Sequence, residues 1–375
     1  MVYYIGFYDT MTDGKFSRTV SPAAVRKMDY VIDKIVNLGE NVTIISTACA
    51  SSKVPGLKNK ASIQDHVQVR YFPFSNFSKK FMRSAAEHLM PIWLFLYCLF
   101  HIKKQDKVVY YHSPATDQAV RRSQKIKKYD LISEIEEIYS LVWSRNKRDI
   151  KSEKALLHDC TKKAIVVSES LKNYLKHPTA IVSYGSYATC MKPKIKHDDG
   201  TIRLVYSGAF DKVKGGAFAA LEIMPLLPAN YKLTLSGKCP PTLLPELNEK
   251  IAELNAVRGE GNVRFAGLLP EEEFETLLLS SDIALNLQNE GAFSGFLFPS
   301  KLLTYLCYDL PIVTTPGESI VASSLADILC ITEDYDPQTV ANAILSVNLD
   351  RDEDFRHRLI AMDMQFEQDL KALLQ

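Results

Sequence analysis

Phe298-Pro299-Ser300-Lys301-Leu302-Leu303-Thr304-Tyr305-Leu306, followed by Leu310-Pro311-Ile312-Val313-Thr314-Thr315, is the stretch that decides the fold. It reads as a helix opening on a proline and a lysine, then a short buried strand. A second stretch, Tyr206-Ser207-Gly208-Ala209-Phe210-Asp211-Lys212-Val213-Lys214-Gly215, reads as a strand running into a glycine turn with another lysine. Helix N-termini and turn amides attract phosphate. Exposed N–H groups at Ser300 and Lys301, after Pro299, can hold anionic oxygens while Lys301 supplies charge. Lys214-Gly215-Gly216 offers the same at the start of a helix expected over 216–227, and Gly208 permits close approach. The expectation is that Lys214 and Lys301 close on one diphosphate from opposite sides. A helix-start lysine is commonly a solvated surface residue, so the pair, not either lysine alone, carries this reading.

Working outward, short apolar runs alternate with helical patterns along the chain, which predicts parallel sheets covered on both faces. In the first half, strands are expected at 2–7, 42–46, 67–72, 107–111, 131–135, 164–167 and 180–183. Helices are expected at 22–38, 89–102, 115–128, 145–162 and 168–175. Residues 191–200, Met-Lys-Pro-Lys-Ile-Lys-His-Asp-Asp-Gly, form a polar bridge and are the expected linker. The pattern then restarts, with strands at 202–207, 231–236, 262–266, 282–287, 311–314 and 328–332. Helices are expected at 216–227, 241–255, 270–281, 300–308, 337–347 and 351–374. The domain reading is therefore 1–190, a linker at 191–200, a second domain at 201–350, and a terminal helix at 351–375 that packs back on the first domain. Two successive α/β domains place a cleft between the carboxyl ends of their sheets, where open α/β sheets bind ligands.

The chain has 375 residues, room for two ordinary cores. Its net charge of +1 hides an asymmetry. Residues 1–200 hold 32 Lys and Arg against 19 Asp and Glu, a balance of +13; residues 201–375 hold 13 against 25, a balance of −12. A basic half suits an anionic membrane or an anionic acceptor. No nucleic-acid-binding motif occurs, so nucleic acid is not an expected partner. The seven cysteines (Cys49, Cys98, Cys160, Cys190, Cys239, Cys307 and Cys330) are scattered without a CxxC or a Cys/His cluster, so neither zinc nor a disulfide framework is expected. No basic leader precedes Val2-Tyr3-Tyr4-Ile5, so no signal peptide and a cytoplasmic location are expected. Leu89-Met90-Pro91-Ile92-Trp93-Leu94-Phe95-Leu96-Tyr97-Cys98-Leu99-Phe100 is almost wholly apolar and has lysines on either side. It is too short to span a bilayer. Two readings stand: a buried helix of the first domain, or a helix lying on the inner face of an anionic membrane.

These residues carry a resemblance. The chain resembles a GT-B glycosyltransferase of glycosyltransferase family 4, which includes bacterial capsule and lipopolysaccharide sugar transferases and sucrose synthase. The likeness covers nearly the whole chain and is strongest from 202 to 315. Ser207-Gly208 with Lys214-Gly215 resembles the donor-phosphate loop. Val263-Arg264-Phe265-Ala266-Gly267-Leu268 resembles the strand and turn beside the nucleotide base. Ser281-Asp282-Ile283-Ala284-Leu285 resembles the strand before the donor-sugar loop. The stretch from Phe298 to Tyr305, with Asp309-Leu310-Pro311-Ile312-Val313, resembles the phosphate helix and following strand. In the first domain, Asp130–Glu137 and Ile165–Ser170 match common patterns.

The resemblance implies two Rossmann-like domains facing across a cleft. It also implies sugar transfer from a nucleotide diphosphate donor, usually with retained anomeric configuration and without a metal. The donor is a co-substrate, not a tightly bound cofactor; a UDP-sugar leads, with GDP- and dTDP-sugars as alternatives. Gly208, Lys214, Gly215, Gly267, Leu268, Pro299, Ser300, Lys301 and Leu302 are the expected donor-site residues, with Glu290 of Asn289-Glu290-Gly291 near the donor sugar. Gly14 and Lys15, in the first loop, are expected to meet the donor from the N-terminal side, with Arg18 adding charge. The sequence departs from the family in three places. Ala209 stands where an arginine is common. Phe296 and Thr304 stand where two glutamates are common, the second of which grips the donor ribose.

On the acceptor side, His112 follows a strand and precedes Pro114, which suits the rim of the cleft or a structural strand end. Glu134, Glu136 and Glu137 cluster nearby. Glu136 is the chosen candidate to accept or position a proton. Lys214, Lys301, His112 and Glu136 are thus the expected catalytic set. A lipid-linked or oligosaccharide acceptor would use the basic first domain and the apolar stretch. A soluble metabolite acceptor and a sugar- or partner-binding protein without turnover are the alternatives.

Overall fold

The computed structural model describes the chain apart from residues 13–14, 50–59, 74–79, 143–146, 161, 177–178, 214 and 292–294. The chain divides into two units, Met1–Ser186 with Gln365–Gln375, and Tyr187–Met364.

The first unit contains strands β1 (Val2–Gly6), β2 (Met11–Thr12), β3 (Lys15–Phe16), β4 (Val42–Ser46), β5 (Lys60–Gln64), β6 (Val67–Tyr71), β7 (Lys107–Tyr111), β8 (Asp130–Ile135), β9 (Lys163–Val166) and β10 (Thr179–Val182). Its helices are α1 (Pro22–Asn37), α2 (Lys80–His101), α3 (Asp117–Lys127), α4 (Tyr139–Val142), α5 (Lys147–Lys154), continued by a π turn at Ala155–Cys160, and α6 (Glu169–Leu175). The main sheet runs β10-β9-β8-β7-β1-β4-β6-β5. All its pairings are parallel except β5 with β6. Both faces are covered, so β1, β4 and β7 read as apolar runs, with Tyr4, Ile5, Ile44, Ile45, Val108 and Val109 buried. Helix α1 forms because Ser21 accepts from the Ala24 N–H and Pro22 sits at its first position. Its buried stripe, Val25, Met28, Ile32 and Ile35, follows the helical period, and each such side chain contributes roughly 1.5–3 kcal/mol on burial. The hairpin β2–β3 and the edge strand β5 were not expected; both are short, and neither has a continuous apolar run.

The second unit contains β11 (Ile202–Ser207), α7 (Ala217–Ile223), β12 (Tyr231–Ser236), α8 (Leu244–Arg258), β13 (Val263–Gly267), α9 (Glu271–Leu279), β14 (Ile283–Asn286), α10 (Lys301–Cys307), β15 (Ile312–Thr314), α11 (Glu318–Val321), β16 (Cys330–Ile331) and α12 (Pro337–Leu345). Its sheet runs β13-β12-β11-β14-β15-β16, all parallel. Both units are Rossmann-like α/β layers.

The final helix, α13 (Arg356–Leu373), begins in the second unit and ends in the first. Its last turns are held there by Phe366 stacked on Tyr30 at 5.5 Å, Glu367 paired with Lys34 at 2.9 Å, and Leu373 O accepting from Lys163 Nζ at 2.8 Å. Residues 191–200, expected as a linker, lack helix and strand but are pinned to the second unit. Lys194 Nζ donates to Leu278 O and Ser281 O, and burial pulls this amine down to about 8. The apolar stretch expected as a helix at 89–102 lies in α2 up to His101, and that helix starts earlier, at Lys80. Among the described residues no helix is long and apolar enough to cross a membrane.

Candidate functional site

Strand order in the second sheet reverses between β11 and β14. At such a point the loops leaving the two carboxyl ends diverge and leave a crevice. Here they are residues 208–216 and 287–298, and they are stitched together. Gly215 and Gln288 form an isolated antiparallel bridge. Asn289 Nδ2 donates to Lys212 O at 2.9 Å and Val213 O at 3.3 Å. Asp211 Oδ1 accepts from Val213 N at 2.8 Å, which turns the first loop. Lys212 points to Glu246, with which it pairs on the surface.

Helix α10 places the cation. Ser207 N, at the end of β11, donates to the hydroxyl of Tyr305 at 2.8 Å, and the Ser207 and Tyr305 hydroxyls lie 3.1 Å apart. Tyr305 is fully buried, and burial pushes its phenol up to about 12. Lys301 stands one turn earlier, on the same helix face. Its Nζ lies 4.1 Å from the centroid of the Tyr206 ring. A β-carbon on Gly208 would sit 2.9 Å from that Nζ, and Gly208 has φ +153°. A β-carbon on Gly216, φ +61°, would sit 2.2 Å from the Tyr206 hydroxyl. Two glycines therefore let an aromatic ring and an ammonium occupy the space over the end of β11. An ammonium so placed can make charge-assisted hydrogen bonds to an anion.

The remaining expected donor-side residues fall as follows. Gly215 lies against Asn289 in the stitched loop pair. Lys214 lies outside the described residues. Gly267 ends β13, and its carbonyl accepts from Gly237 N at 2.8 Å and Ser236 Oγ at 3.0 Å. Leu268, next in sequence, is 79% exposed. Pro299 is half-buried and Ser300 exposed at the entry to α10. Leu302 does not serve as expected: its side chain is fully buried and its N–H donates to Pro299 O. Glu290 is exposed and lines a cavity of about 380 Å³ with Glu222, Gln288, Asn289, Thr315 and Tyr335. The helix starts fall within one residue of expectation. Helices α7 and α10 have seven residues each, and neither is capped by a side chain. The cation and the glycine turns, not helix ends, carry the anion-binding argument.

In the first unit, Gly14 lies outside the described residues; Lys15 belongs to β3, opposite Thr12. Arg18 is committed: its backbone N–H and guanidinium donate to Asp9, and it lies 3.6 Å above the Tyr71 ring. His112 does not sit at a rim. It is 1% exposed, with Nδ1 3.1 Å from Glu137 O and Nε2 3.3 Å from Asp117 Oδ2 and 3.5 Å from Glu153 Oε1. Burial works against its charged form, but Asp117 and Glu153 outweigh it and the imidazole is raised above its ordinary value. Both nitrogens are thus engaged by groups of its own unit. Glu136 is also engaged, accepting from Lys27, whose Nζ donates in addition to Ser183 O at 2.7 Å. The more unusual carboxyl is Glu134. It is fully buried, accepts from the Tyr4 hydroxyl, and keeps Oε1 without a hydrogen-bond partner. Burial pushes it up to about 7, against the pull of Lys27.

Sequence reasoning missed Asn289 and Tyr305. Tyr305 had a signal, its four-residue spacing from Lys301; Asn289 had none beyond its place beside Glu290.

Comparisons with known proteins agree with this fold. The sequence pattern of the family described as "Glycosyl transferases group 1" matches residues 201–350. No curated protein matches the sequence. The chain is similar to sucrose-phosphate synthase from Thermosynechococcus elongatus, with 13% identity, 99% of this chain and 98% of that one covered, and a TM-score of 0.67. It is similar to Anabaena HepE in complex with UDP, with 11% identity, 99% of each chain covered and a TM-score of 0.66. It is also similar to the lipopolysaccharide outer core galactosyltransferase WaaB, with 12% identity, 100% and 98% covered and a TM-score of 0.62. Likeness at such identities establishes the fold, and that fold is GT-B: two Rossmann-like α/β domains.

Proposed function

We propose that this protein transfers a sugar from a nucleoside diphosphate donor to a lipid-linked or saccharide acceptor, with retention at the anomeric carbon. The observation that carries the reading is the Lys301 ammonium held over Gly208 at the switch point of the second sheet. The pattern match over 201–350 and the UDP held by the HepE structure support it. A UDP-sugar is the first choice of donor, with GDP- and dTDP-sugars as alternatives. Exposed Leu268 offers an apolar surface to the base, and Glu290 faces the sugar.

The chemistry asked of these residues is electrostatic. As the bond between the anomeric carbon and the diphosphate breaks, negative charge grows on the leaving oxygen. Lys301, with Lys214 as the second cation of the proposal, stabilises that charge more than the ground state. The acceptor hydroxyl forms the new bond on the face the diphosphate leaves, and its proton passes to a phosphate oxygen. No protein nucleophile is required. His112 and Glu136 take no part, since both are engaged within the first unit.

A second reading has its own support. Phe296 and Thr304 replace the two glutamates that the resemblance leads one to expect, which favours a protein that binds a nucleotide sugar without turning it over. Calorimetric titration with UDP, GDP and dTDP, on the native chain and on Lys301→Ala, tests the shared site. Release of nucleoside diphosphate with membrane lipid extract, compared with free sugars, tests the transfer. Binding that Lys301→Ala weakens about tenfold or more supports the site; equal binding by both proteins removes it. Binding without turnover favours the second reading, and turnover on free sugars alone favours a soluble acceptor.

A further inference from the structure

Helix α2 is apolar on both of its sides. From Leu89 through Phe100 it carries no charged residue. Met90, Leu94 and Cys98 form its inner side and are buried. Leu89, Ile92, Leu96 and Phe100 recur at intervals of three and four, so they form one stripe on the opposite side. They are 47%, 56%, 43% and 78% exposed. A helix apolar all round belongs inside a core or against lipid. This one has only its inner half in a core.

Glu87 precedes the stripe on α2, but from Lys103 to Lys128 the exposed charges have one sign. Lys103 and Lys104 follow the end of α2 and are exposed. Helix α3 packs along α2 and turns Arg122 and Lys125 to solvent, beside Ile126. The two acidic residues between 101 and 128 do not offset them. Asp106 is buried and accepts from Lys103 N at 2.8 Å; Asp117 is buried and accepts from the Tyr110 hydroxyl at 2.8 Å.

From this juxtaposition we infer that the α2 stripe and the exposed cations of α3 form a docking surface for an anionic lipid bilayer. The stripe enters the headgroup and acyl boundary while α2 lies in the membrane plane, and the cations meet lipid phosphates. Charge complementarity selects this occupant over a second copy of the chain, since a self-paired surface brings like charges together. The inference deepens the reading of a lipid-borne acceptor by naming the surface that meets the lipid. Its test involves no sugar chemistry, so either reading can fail alone.

The test is co-sedimentation of the full chain with vesicles of phosphatidylcholine alone and of phosphatidylcholine mixed with phosphatidylglycerol. The expected result is pelleting with the mixed vesicles, weakened by salt. Ile92→Glu with Leu96→Glu, at exposed positions, should lower partitioning about tenfold or more with an unchanged melting curve. Should that variant fold poorly, Arg122→Glu with Lys125→Glu gives an independent arm, again about tenfold or more. No pelleting with anionic vesicles, or equal pelleting by native chain and variants, overturns the inference. So does a solution dimer that the Ile92→Glu and Leu96→Glu changes dissociate.

Discussion

The Lys301 ammonium stands 4.1 Å from the centroid of the Tyr206 ring and 2.9 Å from the point that a β-carbon on Gly208 would occupy. Lys301 and Gly208 lie far apart in sequence, yet the cation sits where only a glycine leaves room for it.

Gly208→Ala should therefore act on binding as well as on stability. The added methyl meets a flexible lysine end, which gives way, and the backbone at φ +153° is strained by about 1–3 kcal/mol. The expected outcome is a drop of about tenfold in nucleotide affinity with the fold retained, read by calorimetry beside a denaturation curve. Unchanged affinity would detach the anion site from this glycine.

Tyr305→Phe should cost stability. It leaves the buried Ser207 N–H without the hydroxyl that now accepts from it, a loss of about 1–3 kcal/mol. Urea denaturation measures it through the midpoint at constant slope.

Asn289→Ala removes both hydrogen bonds that hold the loop at Lys212 and Val213. Amide hydrogen exchange should quicken across residues 211–213, 215 and 216 while the sheet strands keep their protection. Uniform exchange across the unit would show that the Gly215–Gln288 bridge suffices.

Glu134 gives a pH dependence with a fixed sign. Burial raises it from an ordinary value near 4.5 to about 7, with Tyr4 on β1, Tyr111 on β7, Lys27 on α1 and Glu136 around it. The folded chain thus holds this proton more tightly than the unfolded chain. Its contribution is complete below about 4.5 and is lost as pH rises toward and through 7. The raised His112 acts in the same direction. Glu134→Gln should flatten the decline between these limits and stabilise the protein at pH 8 by about 1–3 kcal/mol. Denaturation curves across that range measure the slope.

The parallel sheets were legible because strands covered on both faces leave runs such as Val2–Gly6 and Val42–Ser46 that admit little else. The hairpin β2–β3 and the edge strand β5 were not, because their pairing depends on neighbours distant in the chain more than on their own polar residues. Gly208 and Lys301 could be read since each bears its signal locally, in a turn glycine and at a helix start. Asn289 was illegible because its partners, the carbonyls of Lys212 and Val213, are distant in sequence. His112 stayed open between two readings for the same reason. A histidine after a strand looks alike at a rim or in a core, and Glu153, which helps to bury it, lies 41 positions on. Glu134 and Glu136 differ by two places, and only the end of β8 separates a buried carboxyl from one paired with Lys27.

A crystal structure of the chain soaked with UDP tests the central claim most directly. The account predicts a diphosphate oxygen within about 3 Å of Lys301 Nζ, over Gly208. A diphosphate bound elsewhere, with Lys301 still folded against the Tyr206 ring and touching no phosphate, would contradict it.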